Sequence, residues 1–271
     1  MKLIKGTEIA GFIKERQRHA VAGLRQAQGI TPQLAIIRTN PDPVVDVYMR
    51  LKQAYGEDIG VEVAVYQLAA AQATEKIAEL SVDKHVHGII VQLPLPDRDM
   101  TQVVVDSVPA AKDVDGLAVN SDFDPATPTA INWLLAGNNV DLKGQKIVVF
   151  GNGRLVGAPL SKIWLASGYD VTTLDKDTKD SGAIIAQADV LVCAAGAPAA
   201  IRSSMIKEGA VVIDAAVASD GNSLVGDLAD EVYDRQDLTI TPKKGGVGPL
   251  TISVLFENVI AAARRAGNGK E

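Results

Sequence analysis

A chain of 271 residues, 47% of them hydrophobic, can bury two compact cores. Its formal net charge of −6 offers no clustered basic surface for a phosphate backbone, so nucleic acid is set aside as a partner. The opening Met1-Lys2-Leu3-Ile4-Lys5-Gly6 lacks a signal peptide's apolar block and no run reaches the ~20 apolar residues of a bilayer span, which leaves no membrane partner and a cytoplasmic location as the expectation.

In chain order, short Val- and Ile-rich runs at 33–38, 61–66 and 88–93 are each followed by a helix-length segment, the rhythm of parallel β-α-β units. Ser121-Asp122-Phe123-Asp124-Pro125-Ala126-Thr127-Pro128 then interrupts it, because its prolines resist helix and its polar residues suit a surface connection. The rhythm restarts at 146–150, 170–174, 190–193, 210–214 and 238–240, runs short enough to be fully buried strands. Cys193, the only cysteine, closes the apolar run Val190-Leu191-Val192 and is assigned to packing. Apolar residues at helical spacing from 250 to about 265 form a last helix, expected to return to the first domain. The expected fold class is therefore α/β with two domains. Residues 1–122, with the helix at 250–271, form an N-terminal α/β domain, and residues 123–249 form a Rossmann-like doubly wound domain.

The strand at 146–150 runs straight into Gly151-Asn152-Gly153-Arg154-Leu155-Val156-Gly157 and then an apolar helix, the context of a dinucleotide site. Glycines allow the sharp turn and the close approach of backbone to pyrophosphate, and the helix N-terminus favours the phosphate charge. The spacing G-x-G-x-x-x-G is one residue longer than the commonest fingerprint, and a turn can need glycine for positive φ alone. The next strand ends at Asp175, where an acid accepts hydrogen bonds from the adenine ribose of NAD and repels a 2′-phosphate. Two readings stay open there: Asp175 can instead cap a turn with Asp177 and Thr178, and the neighbouring Lys176 offers a cation.

Tyr48 and Lys52 stand one helical turn apart on one face. Gln92 ends the strand of Val91-Gln92-Leu93-Pro94-Leu95-Pro96, and Lys112-Asp113-Val114-Asp115-Gly116 follows the next helical segment. Together with Val86-His87-Gly88-Ile89-Ile90, the Val156-Gly157-x-Pro159 exit, Val225-Gly226-Asp227 and Thr241-Pro242-Lys243-Lys244-Gly245-Gly246-Val247-Gly248-Pro249-Leu250-Thr251, these segments closely resemble the methylenetetrahydrofolate dehydrogenase/cyclohydrolase family along almost the whole chain.

The resemblance implies that 5,10-methylenetetrahydrofolate is oxidised with NAD or NADP and that the methenyl product is then hydrolysed to 10-formyltetrahydrofolate, with no metal. It makes the first domain the folate-binding catalytic one and implies a homodimer. It implies Lys52 as general acid/base, Gln92 as its orienting partner, Tyr48 as a surface against the folate and Asp115 as acceptor for the pterin ring. Gly246, Pro249 and Thr251 join Tyr48 and Asp115 as substrate-binding residues. Gly151, Asn152, Gly153, Arg154, Leu155, Val156, Gly157, Asp175 and Lys176 are the cofactor-binding set.

This chain departs from the family pattern at Val45, where the family has Ser, and at Ala54, where it has a second lysine. Ala126 replaces a Cys in a shortened segment after Asp115, and Lys243 and Lys244 replace Val and Pro, adding two cations that could meet a polyglutamate tail or a cofactor phosphate. Asp175-Lys176 stands where the family has His-Ser, and Gly151-Asn152-Gly153 where it has Gly-Arg-Ser, which favours NAD. The alternatives are a folate- or dinucleotide-binding protein that has lost catalysis and a monofunctional dehydrogenase. A shikimate-type dehydrogenase would lack the Gln-Leu-Pro-Leu-Pro and Gly-Gly-Val-Gly-Pro segments.

Overall fold

The computed structural model describes every residue except 42, 176, 217, 221, 222 and 269–271. In chain order the first half runs β1 (Lys2–Leu3), α1 (Gly6–Gln28), β2 (Gln33–Arg38), α2 (Pro43–Ile59), β3 (Glu62–Gln67), α3 (Ala73–Val82), β4 (Gly88–Gln92), α4 (Thr101–Asp106) and α5 (Ala126–Gly137). The second half runs β5 (Lys146–Phe150), α6 (Gly157–Ala166), β6 (Asp170–Leu174), α7 (Ser181–Ile185), β7 (Val190–Cys193), β8 (Val211–Asp214), β9 (Ala218–Asp220), β10 (Ser223–Val225), β11 (Thr239–Ile240) and α8 (Val247–Asn268). The chain divides into two compact units, one of Gly11–Ala126 with Ile252–Glu271, the other of Met1–Ala10 with Thr127–Thr251.

The first unit is built on a parallel sheet of order β3-β2-β4. Its central strand, β2, buries Leu34, Ala35, Ile36 and Ile37 completely, because helices cover both faces and alternation has no solvent side to serve. Register pairs Arg38 with both Gln67 and Gln92, so the carboxyl ends of all three strands are level. Gly56 lets α2 lie close on the sheet, since a Cβ there would sit 2.5 Å from Val63 Cγ2. The C-terminal helix returns to this unit as expected. Phe256 stacks on Tyr55 at 5.0 Å, Gln17 Nε2 donates to Ser253 O at 2.7 Å, and Asn258 Nδ2 donates to Val114 O at 2.9 Å.

The second unit carries a six-stranded sheet, β1-β11-β8-β7-β5-β6, with every pairing parallel. Its core gathers Val148, Leu174, Leu191, Cys193, Val212, Leu228 and Ile240. Cys193 is fully buried and its thiol is pushed well up by desolvation, in keeping with a packing role. A short antiparallel pair, β9 with β10, lies outside the main sheet.

Residues 1–10 group with the second unit, whereas the expected division began the first domain at residue 1. Lys2 and Leu3 pair with Thr239 and Ile240 at the edge of the six-stranded sheet, and backbone bonds run from Lys2 N–H to Leu238 O and from Ile4 N–H to Ile240 O. Helix α8 meets the length and mean hydropathy of a membrane span, which no run of the sequence suggested, yet 56% of that window is buried inside the protein.

Candidate active site and dinucleotide turn

Lys52 and Tyr48 occupy one face of α2, and the carboxyl end of β4 brings Gln92 to them. Lys52 Nζ donates to Gln92 Oε1 at 2.8 Å, and Gln92 Nε2 donates to Leu93 O at 3.1 Å. The second bond leaves the amide oxygen, an acceptor, facing the amine. Withdrawal from water holds the Lys52 ammonium below its ordinary range, while the Asp115 carboxylate opposes that shift. Burial raises the Asp115 acid in turn, Lys52 pulls it down, and Asp113 adds a like-charge push upward. Burial likewise raises the Tyr48 phenol. The result is an amine near a neutral hydrogen-bond acceptor and a carboxylate in poorly solvated surroundings, a combination suited to proton exchange.

Asp115 is placed by its loop. Asp113, only 2% exposed, accepts the Ala118 N–H at 2.8 Å, and its own carbonyl accepts the Ser121 hydroxyl at 3.0 Å. Gly116 has φ +70°, and a Cβ there would meet Asp124 C and Pro125 N at 2.6 Å. Lys112 donates to Leu80 O and Asp83 O and so anchors the segment from beneath. Asp113 was not among the expected site residues. Of the departures from the family pattern, Val45 is a core residue, Ala54 is exposed and Ala126 is buried at the start of α5.

In the second unit the turn after β5 has the stereochemistry its glycines imply. Gly151 has φ +109°, and a Cβ on it would lie 2.5 Å from Ala194 C, Ala194 O and Ala195 N. A Cβ on Gly157 would lie 1.7 Å from Gly151 O, whereas one on Gly153 would meet nothing within 4 Å. Two glycines are thus demanded by backbone packing and the third faces open space, leaving the room a pyrophosphate needs. Asn152, Arg154, Leu155 and Val156 complete the turn, and α6 begins at Gly157. These residues fit a dinucleotide. Strands β6 and β7 flank β5 on opposite sides, so this turn stands where the strand order reverses, the usual ligand crevice of such sheets.

Asp175 follows β6 directly. Its Oδ1 accepts the Thr178 hydroxyl at 2.8 Å and the Asp177 N–H at 3.0 Å, and these bonds hold the carboxyl below its usual range. The turn-capping role is therefore present, and it fixes the carboxylate at the strand end. Lys176 lies outside the described residues. Gly246, Pro249 and Thr251 fall in this second unit: Gly246 O would meet a Cβ on Gly6 at 2.0 Å, Pro249 occupies the first turn of α8, and Thr251 Oγ1 reaches Thr127 Oγ1 at 3.5 Å. Lys243 is committed to Asp230 at 2.6 Å and to the face of Tyr233 at 4.9 Å.

Comparison with known proteins places both halves of the sequence in one family. A model of the tetrahydrofolate dehydrogenase/cyclohydrolase catalytic domain matches residues 4–115, and a model of that family's NAD(P)-binding domain matches residues 125–267. The bifunctional protein FolD of Moorella thermoacetica is 39% identical, with 97% of this chain and 99% of the relative covered. The crystal structure of the FolD dehydrogenase/cyclohydrolase of Campylobacter jejuni superposes with a TM-score of 0.91 at 33% identity, covering 98% of this chain and 99% of that one. The Trypanosoma brucei enzyme, solved with NADP and an inhibitor, gives 0.91 at 28% identity, covering 99% of this chain and 98% of that one. With family models on both halves of the sequence and a relative of this identity along its whole length, the chain belongs to the tetrahydrofolate dehydrogenase/cyclohydrolase family.

Proposed function

We propose that this chain oxidises 5,10-methylenetetrahydrofolate to the 5,10-methenyl form with NAD and then hydrolyses that product to 10-formyltetrahydrofolate. The observation that carries the reading is the 2.8 Å bond from Lys52 Nζ to Gln92 Oε1, with Asp115 alongside and the amine held below its ordinary range. A bound dinucleotide supplies a hydride acceptor at nicotinamide C4. The protein's task in that step is alignment of two bound molecules, with Tyr48 as a face for the folate ring and Asp115 as its hydrogen-bond acceptor. In hydrolysis, the Lys52 amine takes a proton from the attacking water as the carbon–oxygen bond forms and returns it to N5 as the N5–carbon bond of the adduct breaks, the adduct's hydroxyl proton leaving to solvent as the formyl C=O forms; Gln92 keeps the amine aimed.

The NAD preference rests on Asp175. The turn bonds of its carboxylate fall on Oδ1, and the charge beside β6 opposes a 2′-phosphate. We extend the reading to a cytoplasmic homodimer. Steady-state absorbance with methylenetetrahydrofolate tests the preference: kcat/KM should be higher with NAD, and Asp175→Ser should move it toward NADP. A wild-type preference for NADP that Asp175→Ser leaves unchanged would remove Asp175 from the account.

A further inference from the structure

Two aspartates of the second unit that take no part in the chemistry above tie the turn after β7 to the segment after β10. Asp227 is fully buried. Its Oδ2 accepts the Ala195 N–H at 2.7 Å, its Oδ1 accepts the Ala197 N–H at 2.6 Å, and the Gly196 N–H between them also bonds to the carboxylate. Three successive amides on one charged acceptor leave that turn little freedom. Asp214, at the end of β8, holds Asp227 from the other side. It accepts the N–H groups of Ala216 at 3.1 Å, Leu228 at 3.2 Å and Asp227 at 3.3 Å, while its own N–H donates to Thr241 Oγ1 at 2.9 Å. Gly226 makes the approach possible, because a Cβ there would sit 2.0 Å from Asp214 Oδ2.

The turn so held is the one against which Gly151 packs, through Ala194 and Ala195, and the Ala194 N–H donates to Phe150 O at 2.7 Å. Strand order then assigns it a partner. If the pyrophosphate lies on the β5 turn and the adenine ribose at the end of β6, the opposite flank of β5, where β7 ends, borders the other nucleotide. We propose that Asp227 is a positioning residue for the nicotinamide half of the dinucleotide, holding residues 195–197 beside the β5 turn through their amides. The inference rests on the dinucleotide reading above.

Calorimetric titration of the full chain and of Asp227→Asn, with NAD, NADP and ADP, tests it. ADP carries the adenosine and both phosphates but no nicotinamide riboside. The variant should lose at least about tenfold in affinity for the dinucleotide the wild type prefers, about the effect of one charge-assisted bond, and keep ADP affinity within about twofold. Loss of both ligands in equal measure, or of neither, would overturn the proposal. A second measurement needs no variant: in the wild type, the dinucleotide but not ADP should slow hydrogen exchange at the amides of 195–197, and equal protection by ADP would count against it. Wild-type protein that binds none of the three ligands would instead remove the dinucleotide reading and this inference with it.

Discussion

Gly151→Ala puts the cofactor turn under a load whose size follows from the structure. The added Cβ would lie 2.5 Å from three backbone atoms of Ala194 and Ala195, far inside contact distance. The two strands cannot part to relieve it, since Phe150 pairs with Cys193, the Gly151 N–H donates to Leu174 O at 2.8 Å and the Ala194 N–H donates to Phe150 O at 2.7 Å. A side chain at positive φ costs about 1–2 kcal/mol, and forced overpacking adds about 1–3 kcal/mol. A loss of about 2–5 kcal/mol lowers Tm by roughly 5–15 °C in a unit of this size. Thermal unfolding of the ligand-free variant reads that loss directly. Relief by displacement of the turn would appear in the same preparation as weaker dinucleotide binding. A variant with wild-type Tm and wild-type dinucleotide affinity would refute the reasoning, because neither the backbone conformation nor the contact with Ala194 would then matter.

Three further outcomes follow from the titrating groups and their partners. Gln92→Leu removes the acceptor 2.8 Å from Lys52 Nζ and leaves a desolvated amine without that bond; an unmade bond of about 1–3 kcal/mol should lower kcat for methenyltetrahydrofolate hydrolysis by roughly 10- to 100-fold with little change in folate Kd. Asp115→Asn removes the charge that raises Lys52, so burial acts alone, the amine falls further, and the acidic limb of the pH–rate profile for hydrolysis moves to lower pH; a limb that stays in place would detach Asp115 from Lys52. Burial raises Asp214 to about 6 from 3.8, so the folded state holds a proton that the unfolded chain has lost, and this group's contribution to stability falls by about 3 kcal/mol as pH rises through that interval. Urea unfolding of wild type against Asp214→Asn should show the wild type losing ground between about pH 4 and pH 7, and a difference independent of pH would disprove the shift.

Much of the fold is legible in the sequence because its central strands are buried on both faces. Runs such as Leu34-Ala35-Ile36-Ile37 and Val190-Leu191-Val192-Cys193 announce themselves without any partner being known. Strand β1 does not, for Lys2 and Leu3 are exposed and acquire their conformation from Thr239 and Ile240, more than two hundred residues away. The β9–β10 pair is hidden for a related reason: three-residue strands are too short to carry a period. At the candidate site, helical spacing alone joins Tyr48 to Lys52, whereas the bond to Gln92 spans forty positions and only the family resemblance pointed to it. Asp227 stood within the quoted Val225-Gly226-Asp227 without a role, since its partners are backbone amides thirty residues away and amides carry no sequence signal. Asp175 makes the turn cap that was one of the readings the sequence left open, with the Thr178 hydroxyl and the Asp177 N–H on its Oδ1.

The most direct test supplies methylenetetrahydrofolate and then methenyltetrahydrofolate to the purified wild type and to Lys52→Met, with NAD and NADP in parallel. The account predicts dinucleotide reduction and methenyl hydrolysis by the wild type, and a loss of hydrolysis of about 10²–10⁴-fold in the variant, the scale of positioned acid–base catalysis. Wild-type protein that turns over neither folate, or a Lys52→Met variant that hydrolyses at the wild-type rate, would contradict it.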